Sequence, residues 1–145
     1  MKKGILGMLI FILCSNCLSA QLADASTTNG LTVNVKIVDI YSETGRANIQ
    51  LVDEKNKSVS YKAYKINPGG EVNASFTGLQ PGRYAVRFFH DENENNKLDR
   101  NEMNFPTEGY GFSNNVGAYG PPKFEELLFN VKENTTIKIT AIYQF

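Results

Sequence analysis

The chain has 145 residues, with 15 Lys+Arg balanced by 15 Asp+Glu, one His and two Cys. That length suits one domain and disfavours a two-lobed enzyme, and zero formal charge argues against a nucleic-acid partner held through its phosphates. One histidine and two cysteines exclude most zinc sites and most His-based catalytic constellations, while 41% hydrophobic and 11% aromatic residues are enough for a packed core.

Met1-Lys2-Lys3 is a short positive start, Ile5 to Leu13 is an apolar run broken only by Gly7, and Cys14 to Ala20 is a more polar tail ending in a small residue. This is the order of a secretory signal peptide over residues 1–20. The apolar run is too short for a membrane span, which needs about 20 residues. Cleavage is expected after Ala20, with Ala25 as the alternative. The protein is then exported, periplasmic or extracellular, with no transmembrane segment in the mature chain. Both cysteines leave with the peptide; lipidation at Cys17 fits poorly because Asn16 precedes it. A domain without disulfides is held by its core or by a metal. Residues 21–30 are small and polar and read as a flexible lead-in.

From residue 31 to 145 the period is two. Leu31, Val33, Val35 and Ile37 alternate with polar residues, as do Ala47, Ile49 and Leu51. Val59, Tyr61 and Ala63 suggest a third, less regular strand. Asn67-Pro68-Gly69-Gly70 is a strong turn. Val72, Ala74 and Phe76 make a fourth strand, and Tyr84, Val86 and Phe88 a fifth. After a long stretch without period, from about Asp91 to Lys123, two strands over 124–131 and 136–143 complete the chain. About seven strands and no convincing amphipathic helix indicate an all-β fold, an antiparallel Ig-like or transthyretin-like β-sandwich with one long loop. Tyr61, Phe76, Tyr84, Phe88 and Tyr143 are expected in the core. In Leu79-Gln80-Pro81-Gly82-Arg83-Tyr84, the tyrosine hydroxyl is expected to bond nearby backbone at a strand corner.

His90 to Glu102 reads HDENENNKLDRNE. With Asp91 as position one, side-chain oxygens fall at one, three and five (Asp91, Asn93, Asn95). Lys97 offers its carbonyl at seven, and Asp99 and Glu102 stand at nine and twelve. Calcium takes six to eight oxygens, and this spacing lets one loop wrap them round the ion. Leu98 would turn to the core and fasten the loop. Position six, normally Gly, is Asn96, the next best residue at positive φ. The competing reading is a solvated turn, since Asp and Asn are common turn formers. Against it stand five acids within twelve residues, which repel one another without a cation. His90 lacks a second histidine, a cysteine or a nucleophile elbow, and reads as a structural strand-end residue.

Pro81-Gly82-Arg83-Tyr84-Ala85-Val86, His90-Asp91-Glu92-Asn93, Lys97-Leu98-Asp99 and Pro106 to Asn115 together resemble the bacterial DUF2141 family, with Gly120-Pro121-Pro122-Lys123-Phe124 extending the likeness. The resemblance implies a small exported β-domain and brings no activity or catalytic residues. Its usual loop has Gly where this chain has Glu94 or Asn96. More distantly, the Leu-x-Pro-Gly-x-Tyr strand start is similar to that of transthyretin-like and carboxypeptidase-regulatory-like sandwich domains.

Residues 105–124 hold Phe105, Tyr110, Phe112, Tyr119 and Phe124 among glycines and prolines. Two readings compete: the rings plug the end of the sandwich, or Tyr110, Phe112 and Tyr119 form a binding patch for a glycan, a peptide or an envelope protein. The functional expectation is an exported, non-enzymatic module that binds calcium in the 91–102 loop and uses the aromatic loop for binding. The alternatives are an enzyme with a site around His90, Glu108 and Tyr110, and a purely structural envelope protein.

Overall fold

The computed structural model describes residues 30–144. The expected signal peptide, both cysteines and the expected lead-in up to residue 29 lie outside the described residues.

The five segments with clean alternation become β1 (Leu31–Val38), β2 (Arg46–Asp53), β4 (Val72–Leu79), β5 (Gly82–Asp91) and β8 (Thr135–Thr140). Their inward rows meet in one core: Val33, Val35 and Ile37 from β1, Ala74 and Phe76 from β4, and Ile139 from β8. Ala47, Ile49, Leu51, Val86 and Phe88 face them from β2 and β5. Each of the Val, Ile, Leu and Phe side chains contributes about 1.5–3 kcal/mol by leaving water. The two layers are a three-stranded sheet, β4-β1-β8, and a five-stranded sheet. The second runs β3 (Ser58–Tyr64), β2, β5, β6 (Tyr110–Phe112), with β7 (Phe129–Val131) also paired to β5. Every pairing is antiparallel except β1 with β8. The described residues therefore form an all-β sandwich with eight strands rather than seven.

The turns behave as their chemistry requires. Gly70 sits at φ +72° with its α-carbon against the Ile40 carbonyl, and Ile40 N–H bonds the Gly70 carbonyl at 3.0 Å. Tyr84 is buried, and its hydroxyl donates to the Gln80 carbonyl at 2.8 Å, the corner bond its position suggested.

Three expectations need correction. Tyr61 is 52% exposed and Val59 is also exposed, so β3 is an edge strand and not a core strand. Its inward side is occupied by Lys62, whose Nζ donates to the Ser75 carbonyl at 2.9 Å and lies 5.2 Å from the Phe76 ring centre. An inward charge blunts an edge against further pairing. Residues 124–131 are not one strand. Phe124–Leu127 form the one-turn helix α1, whose start is held by Lys123 N–H on the Glu126 carboxylate at 2.9 Å, and β7 follows it. The long loop, read as having no secondary structure, contains β6. The helix α1 and the residues that follow β6 cover part of the outer face of the five-stranded sheet, where Val52, Ala85 and Leu127 form a second small core with Phe112, Val116 and Phe124 against it. Three consecutive side chains fasten this cover. Ser113 Oγ accepts from Val86 N–H at 3.0 Å and donates to the Leu127 carbonyl. Asn114 donates to the Glu126 carbonyl at 2.8 Å. Asn115 donates to the Lys138 carbonyl and accepts from Thr140 N–H on β8.

Candidate ion loop and adjoining cleft

β5 ends at Asp91, whose side chain leaves the outer face of the sheet beside Asn48 of β2. Asp91 is 1% exposed, and its carboxylate accepts three hydrogen bonds: Asn95 N–H on Oδ1 at 2.9 Å, Asn96 N–H on Oδ2 at 2.8 Å and Asn48 Nδ2 on Oδ2 at 3.0 Å. These bonds bend the chain back over its own start. The bend places Glu94 at φ 57° and Asn96 at φ 62°. Asn96 thus takes the left-handed conformation that position six needs. Glu94 at that φ is braced by an ion pair with Arg46 at 3.2 Å.

Inside the bend, three expected ligand residues meet. Asn93 Nδ2 reaches the Asp99 carboxylate at 2.6 Å and Asn95 Nδ2 reaches it at 2.9 and 3.1 Å. The amide oxygens accept backbone N–H groups, Asn95 N–H on Asn93 and Lys97 N–H on Asn95. Each uses one lone pair and keeps a second. Lys97 is exposed. Glu102 stands apart from these contacts, in the turn of a small hairpin closed by the Arg100–Pro106 bridge and by Asn101 Oδ1, which accepts from Met103 and Phe105 N–H. Leu98 is half-buried and joins the lining of a surface cleft instead of the core.

Glu108 takes the bracing role. It is buried, with Oε1 on Glu92 N–H at 2.9 Å and Oε2 on Asp99 N–H at 3.0 Å, so one carboxylate clamps both ends of the cup. Among the described residues no group of three or more His, Cys, Asp or Glu is arranged to hold a metal ion; the oxygens gathered here come largely from amides and backbone. Asn48 Oδ1 is buried and has no hydrogen-bond partner, beside the Asp91 carboxylate.

His90 is 0% exposed. Its Nε2 donates to the Thr44 carbonyl at 2.7 Å, and its Nδ1 lies 2.9 Å from the Tyr143 hydroxyl. That hydroxyl in turn accepts Tyr41 N–H at 3.0 Å. Burial raises the Tyr143 pKa above 10.0, against the smaller lowering by the Tyr41 bond. His90 thus faces Tyr143, Thr44 and the Glu92 carboxylate, 3.4 Å from Nδ1, while both Glu108 oxygens hold backbone, so His90 does not pair with Glu108 or Tyr110.

The aromatic segment divides. Tyr110 is buried, Phe112 half-buried and Tyr119 fully exposed. Tyr110 and Phe112 rings pack edge-on at 5.8 Å and floor a cleft of about 320 Å³. The hairpin residues Arg100, Met103 and Phe105 also line it, as do Gly120, Pro121 and Gln144. Sequence reasoning missed Asn48, Arg100, Met103 and Gln144 as site residues. Each is an unremarkable polar or turn residue until the fold brings it to the loop.

A family model described as an uncharacterised protein conserved in bacteria, DUF2141, matches residues 35–139, a span that includes the cup and most of the cleft. No curated protein matches the chain.

Proposed function

The chain belongs to DUF2141, a family of uncharacterised bacterial proteins, and from that premise we propose that it is an exported, non-enzymatic binding module of the cell envelope whose 91–102 loop takes calcium and whose adjoining aromatic loop takes a ligand. The observation that carries the reading is the convergence of Asn93, Asn95 and Asp99 inside a bend whose backbone is already fastened by Asp91 and Glu108. Asp99, the second lone pairs of the two amides, Asp91 and the Lys97 carbonyl would supply the oxygens, with Glu102 available from the hairpin. A hard, oxygen-rich and amide-rich set of this kind suits calcium better than magnesium, which keeps its waters. Bound calcium would balance the charge of Asp99, which two neutral amide N–H groups now only hydrogen-bond. A non-enzymatic role is favoured because the sole histidine is enclosed and both its ring nitrogens are engaged.

The test is thermal unfolding of the purified protein with and without calcium. Ligand at a hundred times Kd stabilises by about 2.7 kcal/mol, so Tm should rise with calcium and fall back with chelator. Asp99→Asn, at a partly exposed site, should remove the response while leaving the metal-free Tm within a few degrees. Asp91→Ala combined with Asp99→Ala should abolish it. A melting curve indifferent to calcium rejects the proposal.

A further inference from the structure

The cleft beside the ion loop has a mixed lining. Its apolar part is Leu98, Met103, Phe105, Pro106, Tyr110, Phe112 and Pro121; its polar part is Arg100, Asn104 and Gln144. No carboxylate lines it. The polar groups keep hydrogen-bonding capacity. Arg100 gives one guanidinium nitrogen to the Asn104 carbonyl at 2.9 Å, and among the described residues it enters no ion pair. Gln144 donates Nε2 to the Tyr110 hydroxyl at 2.8 Å, which leaves its amide oxygen as an acceptor. The Asn104 side-chain amide makes no hydrogen bond among the described residues. At about 320 Å³ the space is at the small end of ligand sites.

Aromatic rings joined by planar groups that offer both donors and acceptors match a molecule with C–H faces and many hydroxyls. A fatty acid would leave the Asn104 and Gln144 amides without partners. An anionic ligand would meet the acids of the neighbouring loop, where Glu92, Glu94, Asp99 and Glu102 stand. A cationic ligand would meet Arg100. We infer that this cleft binds a short neutral saccharide, with sugar faces against Phe105 and Phe112 and hydroxyls on Arg100, Asn104 and Gln144. The inference rests on the aromatic-loop part of the function proposed above and does not need calcium.

Met103 is exposed on the cleft wall and is the only methionine after residue 8, so its methyl group is a clean NMR reporter. The purified protein, labelled at the methionine methyl, is titrated separately with maltotriose, cellotriose and triacetylchitotriose, then with sodium decanoate and deca-proline. At least one trisaccharide should shift the Met103 signal saturably, with Kd on the order of 1 mM. Phe105→Ala and Asn104→Gly, which keeps the left-handed backbone at φ 66° and removes only the amide, should each weaken that binding about tenfold, and Val59→Ala, on the far edge strand, should not. Both cleft residues are exposed, so the variants test contact and not folding. No response to any trisaccharide, or a response that survives Phe105→Ala, overturns the inference. If decanoate or deca-proline shifts Met103 while the sugars do not, the saccharide is wrong and the aromatic binding loop stands. If none of the five probes acts, the inference fails, and the calcium reading is judged by its own melting curves.

Discussion

Two buried carboxylates, Asp91 and Glu108, are satisfied almost entirely by backbone N–H groups, and this lets an acid-rich loop hold its shape. Such bonds to a charged acceptor are roughly twice as strong as neutral ones. Glu108→Gln turns one acceptor into a donor that faces an N–H, either Glu92 or Asp99. Leaving that pair unsatisfied should cost about 1–3 kcal/mol, read as a lower urea midpoint at unchanged slope. A fall below a few tenths of a kcal/mol would show that the clamp is not needed. Tyr143 makes a second prediction. Its folded pKa is raised above 10.0 chiefly by burial, so the folded state holds the phenolic proton more tightly than the unfolded chain. Stability present below pH 10.0 is therefore lost as pH climbs through the folded pKa. Tyr143→Phe should flatten part of that alkaline decline in the urea midpoint. Tyr61, raised by burial and by the Asp91 charge, leaves a remainder. The meeting of Asn93, Asn95 and Asp99 beside Asp91 was legible because these residues are neighbours in the chain. Asn48 and Glu108 were not, because pairing of β2 with β5 and the return of the chain after the hairpin bring them in.

At the level of elements, the edges of the two sheets are guarded by single side chains. Asn115 reaches β8 with both ends of its amide, on the Lys138 carbonyl and Thr140 N–H, and so stands in for one residue of a missing neighbour strand. Asn115→Ala should cost about 1–2 kcal/mol in chemical unfolding and speed hydrogen exchange at Thr140; exchange as slow as in the unaltered protein would refute this role. The alternation in β1, β2, β4 and β5 was readable because each has a layer across from it. In β3, Val59, Tyr61 and Ala63 alternate just as well, but a period of two tells which residues share a face and not whether anything packs on it. The helix α1 and strand β6 escaped because four and three residues are too few to show a period. Pro121 and Pro122, two positions without an N–H donor, were the one local sign that residues 124–131 would not begin as a strand.

For the whole molecule, the proposed export has a direct measurement. Intact-mass analysis of protein recovered outside the inner membrane should give a chain that begins at Gln21, or at Ser26 if cleavage follows Ala25, and that contains no cysteine. A chain that retains Met1 would end that part of the proposal. The sandwich itself carries one topological feature with a bearing on this. β1 lies at the centre of its sheet, between β4 and β8, and its parallel register with β8 joins Val33 to Thr135 and Val38 to Thr140. The first strand to leave a ribosome therefore waits for the last before its hydrogen bonds are complete. Contacts of such long sequence separation form late and slowly. A nascent polypeptide of this design cannot close that sheet until its last strand is made, which suits the export proposed above: a secretion pore would thread the chain while it is loose, and the sheet would close on the far side.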